Sequence, residues 1–187
     1  MKKWCLILFS IVAIFSGCKR DKDIDCPEGY IQVGDECVPG QKVITTLILE
    51  FTEDSSGIHT SFSFQDIDGP GGDSPVVDTV ILEEQKTYHL SIDLWDDSRS
   101  PAVHITPLII QEVHQFFFSV SDNNHISIEY NDEDENGLPV GFENICTTGI
   151  NGNGSLNILL MHQTGGKDGN VTTGLTDINV DFDFIIN

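Results

Sequence analysis

The sequence predicts an all-β domain, and three observations carry that expectation. Apolar and polar residues alternate with period two over several long stretches. Clusters rich in Gly, Asp, Asn, Ser and Pro separate those stretches at short intervals, as turns do. Helical signals are confined to one stretch near Thr106, so the crossover helices that a parallel sheet needs are missing. The architecture expected is an antiparallel β-sandwich of about 8–9 strands with one short helical turn.

Taken in order, the first strand of this domain is Val43–Thr52. After the turn Asp54–Gly57, Ile58, Thr60, Phe62 and Phe64 alternate with His59, Ser61, Ser63 and Gln65, which gives one buried and one solvated face. The Gly- and Pro-rich stretch Asp66 to Pro75 leads to a strand at Val77–Leu82. Tyr88, Leu90, Ile92 and Leu94 then alternate with His89, Ser91 and Asp93. Thr106 can cap a helix, Pro107 suits its first position, and Leu108 to Val113 follow, enough for one or two turns. Further strands are expected at His114–Val120, His125–Tyr130, Gly141–Thr148 and Ser155–His162. In the first of these, alternation turns Phe117 away from Phe116 and Phe118. The last strand is the clearest: Ile178, Val180, Phe182, Phe184 and Ile186 alternate with Asp177, Asn179, Asp181 and Asp183. This set of short strands and turns resembles an immunoglobulin-like sandwich.

The N-terminus has a different grammar. Lys2 and Lys3 precede an apolar run of twelve from Trp4 to Phe15, and the small residues Ser16-Gly17 follow. Twelve residues rise about 18 Å as a helix, too little for a hydrocarbon core of roughly 30 Å. The run therefore reads as a secretory signal over residues 1–17. Its end, Phe15-Ser16-Gly17-Cys18, resembles a bacterial lipoprotein signal, which implies lipidation of Cys18 by fatty-acyl groups such as palmitate. The charged tract Lys19-Arg20-Asp21-Lys22-Asp23 is similar to the tethers of Bacteroidota lipoproteins, which are associated with export to the cell surface; the resemblance implies an outer-membrane location, on either the periplasmic or the surface-facing side.

Of five cysteines, Cys5 would leave with the signal and Cys18 would carry lipid. Cys26 and Cys37, in CPEGYIQVGDEC, are spaced for one local disulfide in an oxidising envelope, worth ~3 kcal/mol by loop closure. Residues 18–40 are thus expected to be a tether with a stapled loop, and residues 41–187 the sandwich. Cys146 is left over and reads as a buried thiol.

Charge excludes some functions. Thirty acids against nine Lys+Arg give a net charge of −21, so nucleic acid is not an expected partner. Adhesion to anionic lipid through a basic patch is excluded for the same reason. The expected partners are the lipid bilayer, through the N-terminal lipid, and an outer-membrane receptor or other surface protein.

The segments QDIDGPGG (65–72), HQFFFSV (114–120), YNDEDENGLPVG (130–141) and TDINVDFDF (176–184) resemble small lipoproteins of Flavobacteria-type bacteria. That resemblance implies a sandwich and a lipid anchor and carries no catalytic residue.

One stretch matches a ligand pattern. Asp132-Glu-Asp134-Glu-Asn136-Gly137, followed after five residues by Glu143, fits D-x-[DN]-x-[DN]-G-x₅-E, a calcium loop. Asp132, Asp134, Asn136 and Glu143 would supply hard oxygens. Strands rather than helices flank it, so an acidic hairpin bent at Asn136-Gly137 is the competing reading. Asp66, Asp68 and Asp73 form a second acidic loop, which also reads as a Gly-rich turn. Of six histidines, His89 shares a strand face with Ser91 and Asp93, while His114 and His162 sit at strand ends. Two such histidines could bind zinc, copper or haem iron if the fold joined them. Nucleophile elbows and phosphate loops are not found. The expected function is a non-enzymatic binding or accessory module. The sequence names no ligand for it; the alternatives are a calcium-stabilised adhesion-type module or a metal- or haem-carrying lipoprotein, and a hydrolase is the rival class.

Overall fold

The structure is a computed structural model and describes residues 30–33, 36–39, 43–69 and 71–187. It divides into two compact units, Met1–Gln41 and Lys42–Asn187. In the first unit β1 (Tyr30–Val33) and β2 (Glu36–Pro39) pair antiparallel, with Tyr30 opposite Pro39 and Val33 opposite Glu36. The expected signal peptide, the expected lipidation site Cys18 and the expected disulfide partner Cys26 lie outside the described residues. Cys37 falls on β2.

The second unit is an all-β sandwich. Its strands are β3 (Thr46–Glu53), β4 (His59–Gln65), β5 (Val76–Val77), β6 (Val80–Leu82), β7 (Thr87–Asp96), β8 (Val103–His104), β9 (His114–Val120), β10 (Ile126–Tyr130), β11 (Glu143–Thr148), β12 (Gly152–His162) and β13 (Leu175–Ile186). One sheet has the order β10-β11-β7-β3-β4-β5, with β8 added to the end of β7. The other has the order β6-β13-β12-β9. Lettering β6, β7, β9, β10, β11, β12 and β13 as A to G makes the sheets D-E-B and A-G-F-C, the immunoglobulin-type division of strands except that A lies beside G rather than beside B. The first lettered strand pairs with the last, and this β6–β13 pair is parallel while every other pair is antiparallel. The β3-β4-β5 meander extends the sheet beyond β7, and the excess over the strand count expected comes from β8 and from the division of Val77–Leu82 into β5 and β6.

Alternation places the core. In β13, Ile178, Val180, Phe182, Phe184 and Ile186 all point inward, and the acids between them point out. They meet Leu47, Leu49 and Phe51 of β3, Leu90 and Leu94 of β7, Phe116 of β9 and Leu156, Ile158 and Leu160 of β12 in one apolar cluster. Each such side chain contributes about 1.5–3 kcal/mol by leaving water.

Three expectations need correction. Val77–Leu82 is not one strand: β5 pairs with β4 and β6 with β13, so the chain changes sheets at Asp78-Thr79. The Asp78 carboxylate accepts the Ser63 N–H (2.7 Å) and hydroxyl (3.0 Å), which fixes the crossing point. Ile58 is 63% exposed and lies before β4 rather than in the core. The helical stretch forms two separate 3₁₀ turns, Thr106–Leu108 and Gln111–Val113. Thr106 does not cap, because its hydroxyl donates to Asp93 Oδ1 (2.5 Å) and accepts the Leu94 N–H (2.7 Å).

Candidate functional site

The acidic hairpin between β10 and β11 spends its carboxylates on its own backbone. Asp132 Oδ1 accepts the N–H groups of Val140 (3.3 Å) and Gly141 (2.6 Å), and Oδ2 those of Phe142 (2.8 Å) and Glu143 (3.1 Å). Asp134 Oδ1 accepts the N–H groups of Asn136 (2.8 Å) and Leu138 (3.0 Å). Its Oδ2 lies 2.9 Å from the ammonium of Lys167, and both side chains are wholly buried. That ammonium also donates to the carbonyls of Pro139 (2.7 Å) and Leu138 (3.2 Å). Lys167 thereby pins the β12–β13 loop onto the hairpin. Burial raises the Asp134 pKa, but the Leu138 amide, Lys167 and the Asn136 amide together hold it below the ordinary carboxylate value.

The four calcium ligands expected from sequence are therefore not brought into one sphere. Asn136 is exposed, and the Glu143 side chain turns to His89, Oε2 to Nε2 at 3.1 Å. Burial raises the Glu143 pKa against the lowering effect of His89. Calcium-loop residues and hairpin-turn residues are the same types because both need short carboxylates near backbone amides, and here the amides take them. In the second acidic loop Asp68 likewise accepts the Asp73 N–H at 2.8 Å.

The β7 face does not assemble a site from His89, Ser91 and Asp93. His89 pairs with Glu143 as above, whereas Asp93 is a hub for Thr106, His104 (Nε2 to Oδ1, 2.5 Å) and Trp95 (Nε1 to Oδ2, 2.8 Å). Burial raises the Asp93 pKa, and these three donors outweigh it and leave it low. The His104 ring stacks on Trp95, centroids 4.4 Å apart. Thr106 thus gives its proton to a carboxylate, not to an imidazole. Cys146 is buried, and burial pushes its thiol up to about 12.

The fold does join His114 and His162. β9 and β12 run antiparallel with His162 directly opposite His114, so strand ends that are 48 positions apart in sequence coincide. The rings stack, centroids 4.3 Å apart and 16° from parallel. Parity puts both on the inward face at the sandwich's end, in line with Phe116 and Leu160. β13 adds Asp177. Leu160 pairs with Ile178 but Met161 pairs with Thr176, so Asp177 is the extra residue of a β-bulge. A bulge re-aims a side chain that strict alternation would send away. Asp177 Oδ2 lies 3.1 Å from His114 Nε2. Among the described residues this is the one group of three His, Cys, Asp or Glu whose ligand atoms all lie within 4.8 Å of one another.

Proton placement at His114 follows from its partners. Its Nδ1 is 2.7 Å from the Ile110 carbonyl oxygen, which only accepts, so Nδ1 carries a proton and donates it. Nε2 then faces a carboxylate, which also only accepts. A positive centre, a proton or a cation, must lie between them. His114 is only 4% exposed at the side chain, Asp177 is 25% exposed, and His162 is half-buried, so the cluster opens on one side.

Next to this sheet, Phe117, Leu159 and Val171 with Ser119, Asn157 and Asn170 line an open groove of about 430 Å³. Phe117 points away from the core and Phe116, as alternation requires, and is partly covered. Comparison of the chain with protein-family models, curated proteins and solved structures returns no match.

Proposed function

We propose that this chain is a lipid-anchored lipoprotein of the outer membrane whose sandwich is a non-enzymatic binding module, with its binding site at His114, His162 and Asp177. The anchor reading rests on the apolar run that ends in Ser16-Gly17-Cys18. The binding reading rests on one observation: a bulge in β13 aims a carboxylate at two imidazoles that pairing of β9 and β12 has already superposed. Structural polar clusters stabilise a fold, whereas binding sites are held at neutral or unfavourable cost because ligand contacts complete them.

That difference supplies the test. Asp177→Asn and His162→Gln should change unfolding free energy by less than about 0.5 kcal/mol, or raise it. A loss above about 2 kcal/mol in both would make the cluster a structural network and sink the reading. In cells, Cys18→Ala should release the chain from the membrane fraction; retention of that variant there would contradict the anchor.

A further inference from the structure

We propose that His114, His162 and Asp177 bind one first-row transition-metal ion of the zinc or copper class, with a coordination position left open to solvent. The inference rests on reading this cluster as the binding site, and it names the ligand.

Donor chemistry selects the class. Two imidazoles and one carboxylate form a borderline N/O set, which suits Zn, Cu, Ni or Fe and is poor for calcium or magnesium, which want mainly oxygen. Three protein ligands with a fourth position free is the pattern of open zinc sites. The cluster's exposed side is where that fourth position faces.

Geometry agrees at the buried half. His114 Nε2 and Asp177 Oδ2 are 3.1 Å apart. An ion at usual Zn–N and Zn–O distances of ~2.0–2.2 Å from both would subtend roughly 90–100°, somewhat below the ideal tetrahedral angle. The Ile110 carbonyl holds the His114 Nδ1–H, which leaves Nε2 as the nitrogen that faces Asp177. Such a hydrogen bond on the far nitrogen is the usual outer-shell support of a metal-bound imidazole. The positive centre required between Nε2 and Oδ2, which a proton supplies in the ion-free protein, is supplied equally by a metal ion.

The other half must adjust. Rings stacked 16° from parallel cannot both contain the same ion in their planes. His114 is buried and bonded to Ile110, whereas His162 is half-buried at the end of β12, so binding requires the His162 ring to rotate and exchange its present contacts for the ion. Ligand atoms within 4.8 Å need close by only about 1–1.5 Å for ~2.1 Å bonds.

The test uses the full chain in detergent, without a polyhistidine tag and stripped by chelator. Titration with Zn(II) by calorimetry should give one site per chain, and Co(II) should show the intense visible bands of a tetrahedral ion. Losing even an outer-shell partner weakens metal sites about 10–100-fold, so His162→Ala and Asp177→Asn should each weaken binding by at least about 100-fold. His89→Ala, at a different pair, should leave it unchanged. No binding by the wild type overturns the inference, and so does equal binding by the two ligand variants. If stability is unchanged in those variants but no metal binds, the ligand class is wrong and the binding-site reading stands. If stability collapses in both, the reading itself fails.

Discussion

Replacing Asp132 by Ala removes the acceptor of four backbone amides, those of Val140, Gly141, Phe142 and Glu143. Val140, Gly141 and Phe142 are buried. Amides bonded to a charged acceptor gain about 1.5–3 kcal/mol each, and a buried donor left without a partner costs about 1–3 kcal/mol. Asp132 is only half-buried, so water recovers part of this, and two dry amides set the scale at about 3–5 kcal/mol. For a domain of this size that is roughly 6–20 °C in melting temperature. The assay is thermal melting in chelator and in millimolar calcium, on wild type and on Asp132→Ala. The structural role requires the full loss in chelator and nearly the same loss in calcium. If the variant melts with the wild type in chelator, and only the wild type gains from calcium, then Asp132 is a calcium ligand and the amide argument is refuted.

Gly141 sits at φ +94°, and a Cβ there would stand 2.8 Å from Phe116 Cβ and 3.1 Å from Tyr130 Cε1. Gly141→Ala should cost about 2–4 kcal/mol in chemical denaturation, whereas Gly57→Ala, at φ +69° with open space around it, should cost about 1 kcal/mol. Hydrogen bonding from Lys86, with help from Ser55 and Ser56, holds the Glu53 pKa at about 2, below its ordinary 4.5. The folded state therefore binds the proton more weakly than the unfolded one, so the contribution is present above pH 4.5 and is lost as pH falls through 2. Glu53→Gln should flatten the stability profile in that window, and an unchanged profile would show that Glu53 is not the group titrating. Cys146, with its thiol pushed up to about 12, should resist alkylation at pH 8 until the protein unfolds, as followed by mass spectrometry; fast labelling of the native protein would contradict its burial.

Period-two patterning carried over well where one face is buried. The inward set of β13 and that of β7 are those read from alternation, because a strand packed on one side cannot slip without exposing its apolar residues. It failed where chemistry other than burial decides. Ile58 continues the alternation of β4 but falls in the turn that precedes it. Thr106 looks like a helix cap, yet the Asp93 carboxylate across the sheet takes its hydroxyl. The break at Asp78-Thr79 is a change of sheet, for which a run of Val, Ile and Leu carries no signal.

The site was half legible. His114 opens HQFFFSV and His162 closes ILLMH, each in line with its strand's inward residues. Antiparallel pairing of those two strands in that register is enough to superpose the histidines. Asp177 could not be found this way, since alternation sends it to solvent and only the bulge beside Met161 brings it back. The acidic hairpin shows the converse, where a ligand pattern in sequence becomes a set of backbone acceptors once the strands fix its ends. Lys167 gave no signal as a partner for Asp134, because a lone Lys in a Gly-rich loop is ordinarily solvated.

Anomalous scattering at the zinc edge, from crystals of the chain grown with Zn(II), addresses the metal centre most directly. The account requires a peak about 2.0–2.2 Å from His114 Nε2 and Asp177 Oδ2, with the His162 ring rotated out of its stack and His114 still bonded to Ile110. Ordered His114, His162 and Asp177 side chains with no peak between them, or a peak only among the carboxylates of the acidic hairpin, would contradict it.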